Sequence, residues 1–181
     1  MLKRQHTLRA PGMIDRAWRD EDTDPSLRVR SFRTQLPVRP AIVAKECIRV
    51  DIVGIGTDIV ETLRIGQMIE KHGETFLDRV FTPREIQYCR DRKHATEHYA
   101  GRWAAKEAIL KCLGTGWSKG ISWTDLEITN EFSGAPRASL VGAARDRADE
   151  LGITDIWITI SHCRAYATAT AIAVQRGPRT T

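Results

Sequence analysis

Sustained hydrophobic patterning begins near residue 48. Residues 48–60 (IRVDIVGIGTDIV) alternate and then run apolar, which predicts a largely buried strand. Gly54 and Gly56 inside it suggest that a backbone or a ligand comes close. Across residues 61–72, Leu63, Ile65, Met68 and Ile69 fall at helical spacing, and Gly73 closes that short helix. Thr82, Pro83 and Glu85 form a helix-start signal: a capping threonine, a first-turn proline and a capping-box glutamate. A longer, alanine-rich helix spans about 95–113 and stops at Gly114. Short strands at 126–129 and 137–140 flank a turn, residues 141–151 form another helix ended by Gly152, and 155–160 and 166–174 alternate as an antiparallel pair. Strand, helices, two strands, helix, two strands is an α+β order, with helices packed on an antiparallel sheet.

Residues 1–40 look different. They hold four of the seven prolines, an acidic run at 20–22 and no sustained period, so residues 1–47 read as a disordered or loosely packed extension ahead of a domain at 48–176. Its aspartates are unlike an acid-poor transit peptide. The charge also divides there. Residues 1–50 carry eleven Lys/Arg and six Asp/Glu, whereas the other 131 residues carry seventeen of each. The basic excess therefore lies off the domain, which argues against a nucleic-acid partner. No apolar run is long enough to span a bilayer, so no membrane role is expected. Cys47, Cys89, Cys112 and Cys163 have no CxxC spacing; a reducing, cytoplasmic setting is expected, with Cys89 and Cys112 as small core residues.

Candidate chemistry gathers on the long helix. Ala105, Ala108, Ile109 and Cys112 share an apolar side, while Glu107 and Lys111 stand one turn apart on another face. Taken alone, that pair reads as an exposed ion pair worth a few tenths of a kcal/mol. The loop of Gly114, Thr115 and Gly116 offers amides suited to phosphate oxygens, but by itself it reads as a plain glycine helix stop. Asp58 in its apolar strand is either a cap for the next helix or a carboxylate that needs a partner. If Asp58 faces Glu107, a hard divalent cation resolves their repulsion, and Mg²⁺ suits two carboxylates plus substrate phosphate. Ser161 and His162 end a strand; adjacent in sequence, they form no obvious triad. His94 and His98 are four apart but lack the glutamate of a zinc helix.

Four segments together resemble the holo-[acyl-carrier-protein] synthases, the small bacterial type of 4′-phosphopantetheinyl transferase. They are GIGTDIVE at 54–61, AGRWAAKEAILK at 100–111, LGTG at 113–116 and ISH at 160–162, in that family's order and spacing. The resemblance covers about residues 50–175 and implies the 4′-phosphopantetheinyl transferase-like fold. It also implies transfer of the phosphopantetheine arm of coenzyme A to a serine of apo acyl carrier protein, in support of fatty acid biosynthesis. Asp58 and Glu107 would hold Mg²⁺, and Glu107 and Lys111 would be the catalytic residues. Arg102, Lys111, Gly114, Thr115, Gly116 and His162 would bind coenzyme A, while Arg64 and Met68 would dock the carrier. A homotrimer with the coenzyme between protomers is implied as well. Trp103 stands where the family usually has phenylalanine, which keeps a large aromatic. A Mg²⁺-dependent hydrolase or nucleotidyl transferase, or a binding module without catalysis, remains open on the residues alone.

Overall fold

The computed structural model describes residues 48–116 and 120–178. The expectation for residues 1–47 lies outside them. Nine elements follow in order: β1 (Ile48–Glu61), α1 (Thr62–Val80), α2 (Pro83–Arg90), α3 (Ala95–Cys112), β2 (Leu126–Asn130), β3 (Pro136–Leu140), α4 (Gly142–Glu150), β4 (Asp155–His162) and β5 (Tyr166–Pro178). A single 3₁₀ turn, Trp123–Asp125, leads into β2. The α+β expectation stands: β1, β5 and β4 form one antiparallel sheet in that order, and β2 and β3 form a separate hairpin.

Most predicted elements recur with shifts of a few residues at their ends. Thr82 builds the expected capping box: its hydroxyl accepts from the Glu85 amide, and the Glu85 carboxylate accepts from the Thr82 amide at 2.8 Å. The helix expected to end at Gly73 does not end there. Gly73 takes a left-handed backbone (φ 55°, ψ −136°), open to glycine at little cost, and kinks α1, which runs on to bury Phe76, Leu77 and Val80. β5 also extends past its expected end, because its partner β1 continues beside it as far as Ile48 opposite Pro178.

The sheet register explains how α3 is seated. Gly54, Gly56, Asp58 and Val60 of β1 pair with Ala173, Ala171, Ala169 and Ala167 of β5, and all four alanines are buried. This inner face is nearly flat, and α3 lies close against it. A Cβ on Gly54 would collide with the Cys112 carbonyl oxygen, and one on Gly56 with that of Ala108. Both glycines are therefore present for close backbone approach, as the strand pattern suggested. Ala104, Ala105, Ala108 and Ile109 are fully buried, so α3 is covered almost all round.

The opposite face of the sheet is unusually apolar. After a bulge at Val53, Ile55 of β1 lies in one row with Ile172 of β5 and Trp157 of β4. Ile52, Ile55 and Ile59 are each more than half exposed, and Trp157 is exposed as well. Three large exposed isoleucines on one strand, interrupted on that face by Thr57, mark a surface suited to cover by protein.

Candidate active site

Two clusters lie along α3. The first sits where it crosses β1. Because Gly54 and Gly56 admit the helix, Asp58, two residues further along the same face, meets the side chains of α3. The Lys111 ammonium donates to Asp58 Oδ1 at 2.7 Å and to the Thr57 carbonyl at 2.9 Å. Asp58 thus faces a partner on α3; it does not cap α1, whose N-cap position is Glu61 and carries no side-chain cap. Glu107 is half-buried beside them. Burial, and then the negative charge of Asp58, raise its pKa above the ordinary carboxylate range, against the opposing pull of Lys111 and Arg64. Asp58, Glu107, Lys111 and Arg64 therefore share one electrostatic site.

Among the described residues no three His, Cys, Asp or Glu side chains gather as a metal cage. Two facing carboxylates with room for phosphate and water are the smaller donor set that Mg²⁺ takes. The negative charge of Asp58 is one cause, after burial, of the raised Glu107 pKa, and a cation between the two would offset it, so these residues fit such an ion.

Beside this site Ile59, Val60, Glu61, Arg64 and Tyr166 border an open cavity of about 390 Å³. Arg64 is exposed at its rim. Met68 is only partly buried and packs against the core, so its sulfur and methyl serve packing at least in part.

The second cluster surrounds the N-terminal half of α3. Tyr88, His98, Gly101, Arg102, Asn130, Gly134, Pro136, Ile160 and His162 line a cavity of about 180 Å³. Arg102 is 4% exposed. Its guanidinium lies 4.0 Å from the centre of the Tyr88 ring and donates to Asn130 Oδ1 at 2.8 Å, while its buried Nε has no oxygen acceptor. No carboxylate pairs with it among the described ion pairs, and a buried cation lining a cavity is poised for an anion. His162 arrives because β4 alternates: Ile156, Ile158 and Ile160 face α3, and His162 is the next residue on that face. Its Nδ1 lies 3.3 Å from Glu97 Oε2, and Ile160 packs against Gly101.

The sequence named Arg102 and His162 for this region but missed His98, one turn before Arg102 on α3, and Tyr88 and Asn130, which come from α2 and β2. His98 was noted only with His94, and that pairing does not form: His94 Nδ1 lies 4.0 Å from Glu97, whereas His98 packs edge-on against Tyr88 and His162. At the far end of α3, Gly114 and Gly116 adopt left-handed φ angles of 68° and 54°. The Gly114 and Thr115 amides bond back to the Lys111 and Leu110 carbonyls. That is a helix stop, which spends both amides.

The sequence model of the 4′-phosphopantetheinyl transferase superfamily matches residues 54–171, which span both clusters and every strand of the sheet. The chain belongs to this superfamily. A holo-[acyl-carrier-protein] synthase of Rhodopirellula baltica is 48% identical over 118 residues, 65% of this chain and 94% of the relative. One from Protochlamydia amoebophila is 48% identical over 120 residues, 66% of this chain and 96% of its own. The solved structure of the Helicobacter pylori holo-[acyl-carrier-protein] synthase in complex with coenzyme A superposes with a TM-score of 0.59 at 32% identity, covering 66% of this chain and 98% of that one. The superfamily fold expected from the four motifs is thus the fold observed, and the transferase domain accounts for nearly the whole length of these relatives.

Proposed function

We propose that this phosphopantetheinyl transferase is a holo-[acyl-carrier-protein] synthase: it moves the 4′-phosphopantetheine group of coenzyme A to a serine of apo acyl carrier protein and releases adenosine 3′,5′-bisphosphate. The observation that carries the reading is the pair of sites along α3: an Asp58–Glu107–Lys111 cluster, and a cavity walled by a buried Arg102 guanidinium with no carboxylate partner among the described ion pairs. Arg102 and Glu107 are five residues apart, about 7.5 Å along the helix axis. Five residues also turn about 140° around that axis, so the two clusters open on different sides of α3, and a coenzyme held between protomers takes its nucleotide contacts from one copy and its pyrophosphate contacts from another.

In this reading Arg102 and His162 bind the nucleotide end, with Asn130 and Pro136 at its side. The backbone of Gly114, Thr115 and Gly116, bare of bulky side chains, leaves room for the coenzyme at the other end of α3. Lys111, held by Asp58 and the Thr57 carbonyl, brings a positive charge to the pyrophosphate. Bound between Asp58 and Glu107, Mg²⁺ would neutralise charge on the transferring phosphate and on the leaving group. The carrier serine oxygen bonds to the phosphorus that bears the pantetheine arm, and the bond from that phosphorus to the departing bisphosphate breaks. Glu107, whose pKa already stands above the ordinary carboxylate range, is suited to take the serine proton.

Arg64 at the rim of the neighbouring cavity, with Met68 on the same helix, is the proposed dock for the acidic carrier. The outward isoleucines of β1 support a homotrimer in which this sheet face is covered by copies of the chain. The buried thiols Cys89 and Cys112 suit a reducing cytoplasm, and fatty acid biosynthesis is the process served.

The test is direct. Incubation with coenzyme A, Mg²⁺ and an apo acyl carrier protein should raise the carrier's intact mass by one phosphopantetheine group, and a chelator should abolish the gain. An unchanged mass with several folded apo carriers would refute the assignment and return the site to another phosphate substrate.

A further inference from the structure

His98 has no role in the transfer proposed above, yet it forms one wall of the nucleotide cavity. Its ring lies 5.1 Å from the His162 ring, centre to centre, at 71°, and 5.8 Å from the Tyr88 ring at 83°. It therefore wedges between the two. Tyr88 in turn carries Arg102 on its face at 4.0 Å and Arg92 at 4.4 Å. The groups facing His98 are these two guanidiniums, the His162 imidazole from β4, Tyr88 from α2 and Glu97 from its own helix. Only Glu97 is negative, and it already lies 3.3 Å from His162 Nδ1.

We propose that His98 is a further positioning residue for the coenzyme: it braces His162 and gains a proton when a phosphate of the coenzyme enters the cavity beside Arg102. This rests on the coenzyme A reading above.

The physical case is one of balance. A proton on His98 in the empty cavity meets two guanidiniums, a second imidazole and partial burial. These hold its pKa below the ordinary histidine value, burial first and His162 next, with Glu97 opposing. A phosphate dianion reverses that balance, because it attracts the same proton at short range and gives Arg102 the anionic partner that it lacks among the described ion pairs. Binding then takes up a proton. By linkage, affinity falls as pH rises through the range in which the free cavity has lost that proton and the occupied one keeps it, by at most about tenfold per pH unit for one proton.

Titration calorimetry with coenzyme A at pH 6.5 to 8.5, in two buffers of different ionisation enthalpy, counts the proton. The wild-type chain should take up a fraction of a proton that shrinks toward pH 8.5. His98→Phe keeps an aromatic wedge that cannot titrate, and His98→Gln is a smaller non-titrating control; both should lose that part of the uptake and flatten the affinity profile. A simple packing role would instead weaken binding equally at every pH and leave the uptake unchanged, which would overturn the proposal. 3′-Dephospho-coenzyme A as a second probe separates the sources: uptake lost with it assigns the ribose phosphate, uptake kept assigns the pyrophosphate. Absence of coenzyme binding at every pH would refute the functional reading and this inference with it. Normal binding with uptake equal in wild type and variants would refute this inference alone.

Discussion

Glu107→Gln is expected to lower phosphopantetheine transfer by about two or more orders of magnitude, while the protein stays folded and its melting point at neutral pH does not fall. On the proposed mechanism the loss in rate comes from removing, in one change, a carboxylate that would hold Mg²⁺ and the proton acceptor. The stability half follows from the environment of Glu107. Its folded-state pKa is raised, by burial first and Asp58 second, so ionising it costs the fold free energy. A group raised in this way stabilises the fold below its unfolded pKa and loses that contribution as pH rises through the folded value. At neutral pH the carboxylate is therefore a burden that a neutral glutamine lifts. Without Mg²⁺, the variant should match or exceed the wild type at pH 7, and the difference should fade toward pH 4. Intact-mass assays of the carrier and melting curves at the two pH values check both halves. Transfer near the wild-type rate would sink the role given to Glu107, and a large drop in melting point would mean that it chiefly holds the structure together.

The second large effect lies one residue earlier in the chain. Lys106 and Glu85 are both fully buried, with Nζ 2.8 Å from Glu85 Oε2. The ammonium also donates to the Val80 carbonyl at 2.7 Å and the Trp123 carbonyl at 3.0 Å. Glu85 accepts from the Thr82 amide at 2.8 Å and the Ile128 amide at 2.9 Å. The pair thus ties α3 to the end of α1, the start of α2, the 3₁₀ turn and β2. Burial pulls the Lys106 pKa down and Glu85 opposes the shift. Lys106→Met strands a carboxylate in the core and should cost about 3–5 kcal/mol in denaturant unfolding. Adding Glu85→Gln removes that stranded charge and keeps an acceptor for one of the amides, so the double variant should recover part of the loss. A cost below about 1 kcal/mol for Lys106→Met would show that the pair is not a brace.

These two neighbours show what the sequence could and could not disclose. Glycines in an apolar strand announced a close approach, and the alanines of the long helix announced its other side; together they locate the crossing of β1 and α3. The capping box at Thr82 was legible because all its parts are local. Lys106 was not. A lysine beside a glutamate in a helix looks like a solvated face, and its partner lies 21 residues away in another helix. For the same reason the Lys111–Asp58 bond was hidden behind the nearer Glu107–Lys111 spacing. The second half of α1 was lost because Gly73 signals a stop whether the chain leaves the helix or only bends. The pairing of β1 with β5 joins nearly the two ends of the domain, and no periodicity within either strand encodes it.

The all-round burial of α3 has a kinetic consequence. Regions of a protein open locally in order of how little they bury, and this helix buries more than any other described here, so its amides are expected to be among the last in the domain to exchange with solvent. Glu107 and Lys111 therefore ride on the best-buried helix, with Asp58 on the strand packed against it. Any motion that lets the coenzyme in or the product out is expected around that helix, in the hairpin of β2 and β3 or in the loops at the ends of α3. Turnover in this fold would then be paced by its periphery, and a substitution far from the phosphate could slow release without touching the chemical step.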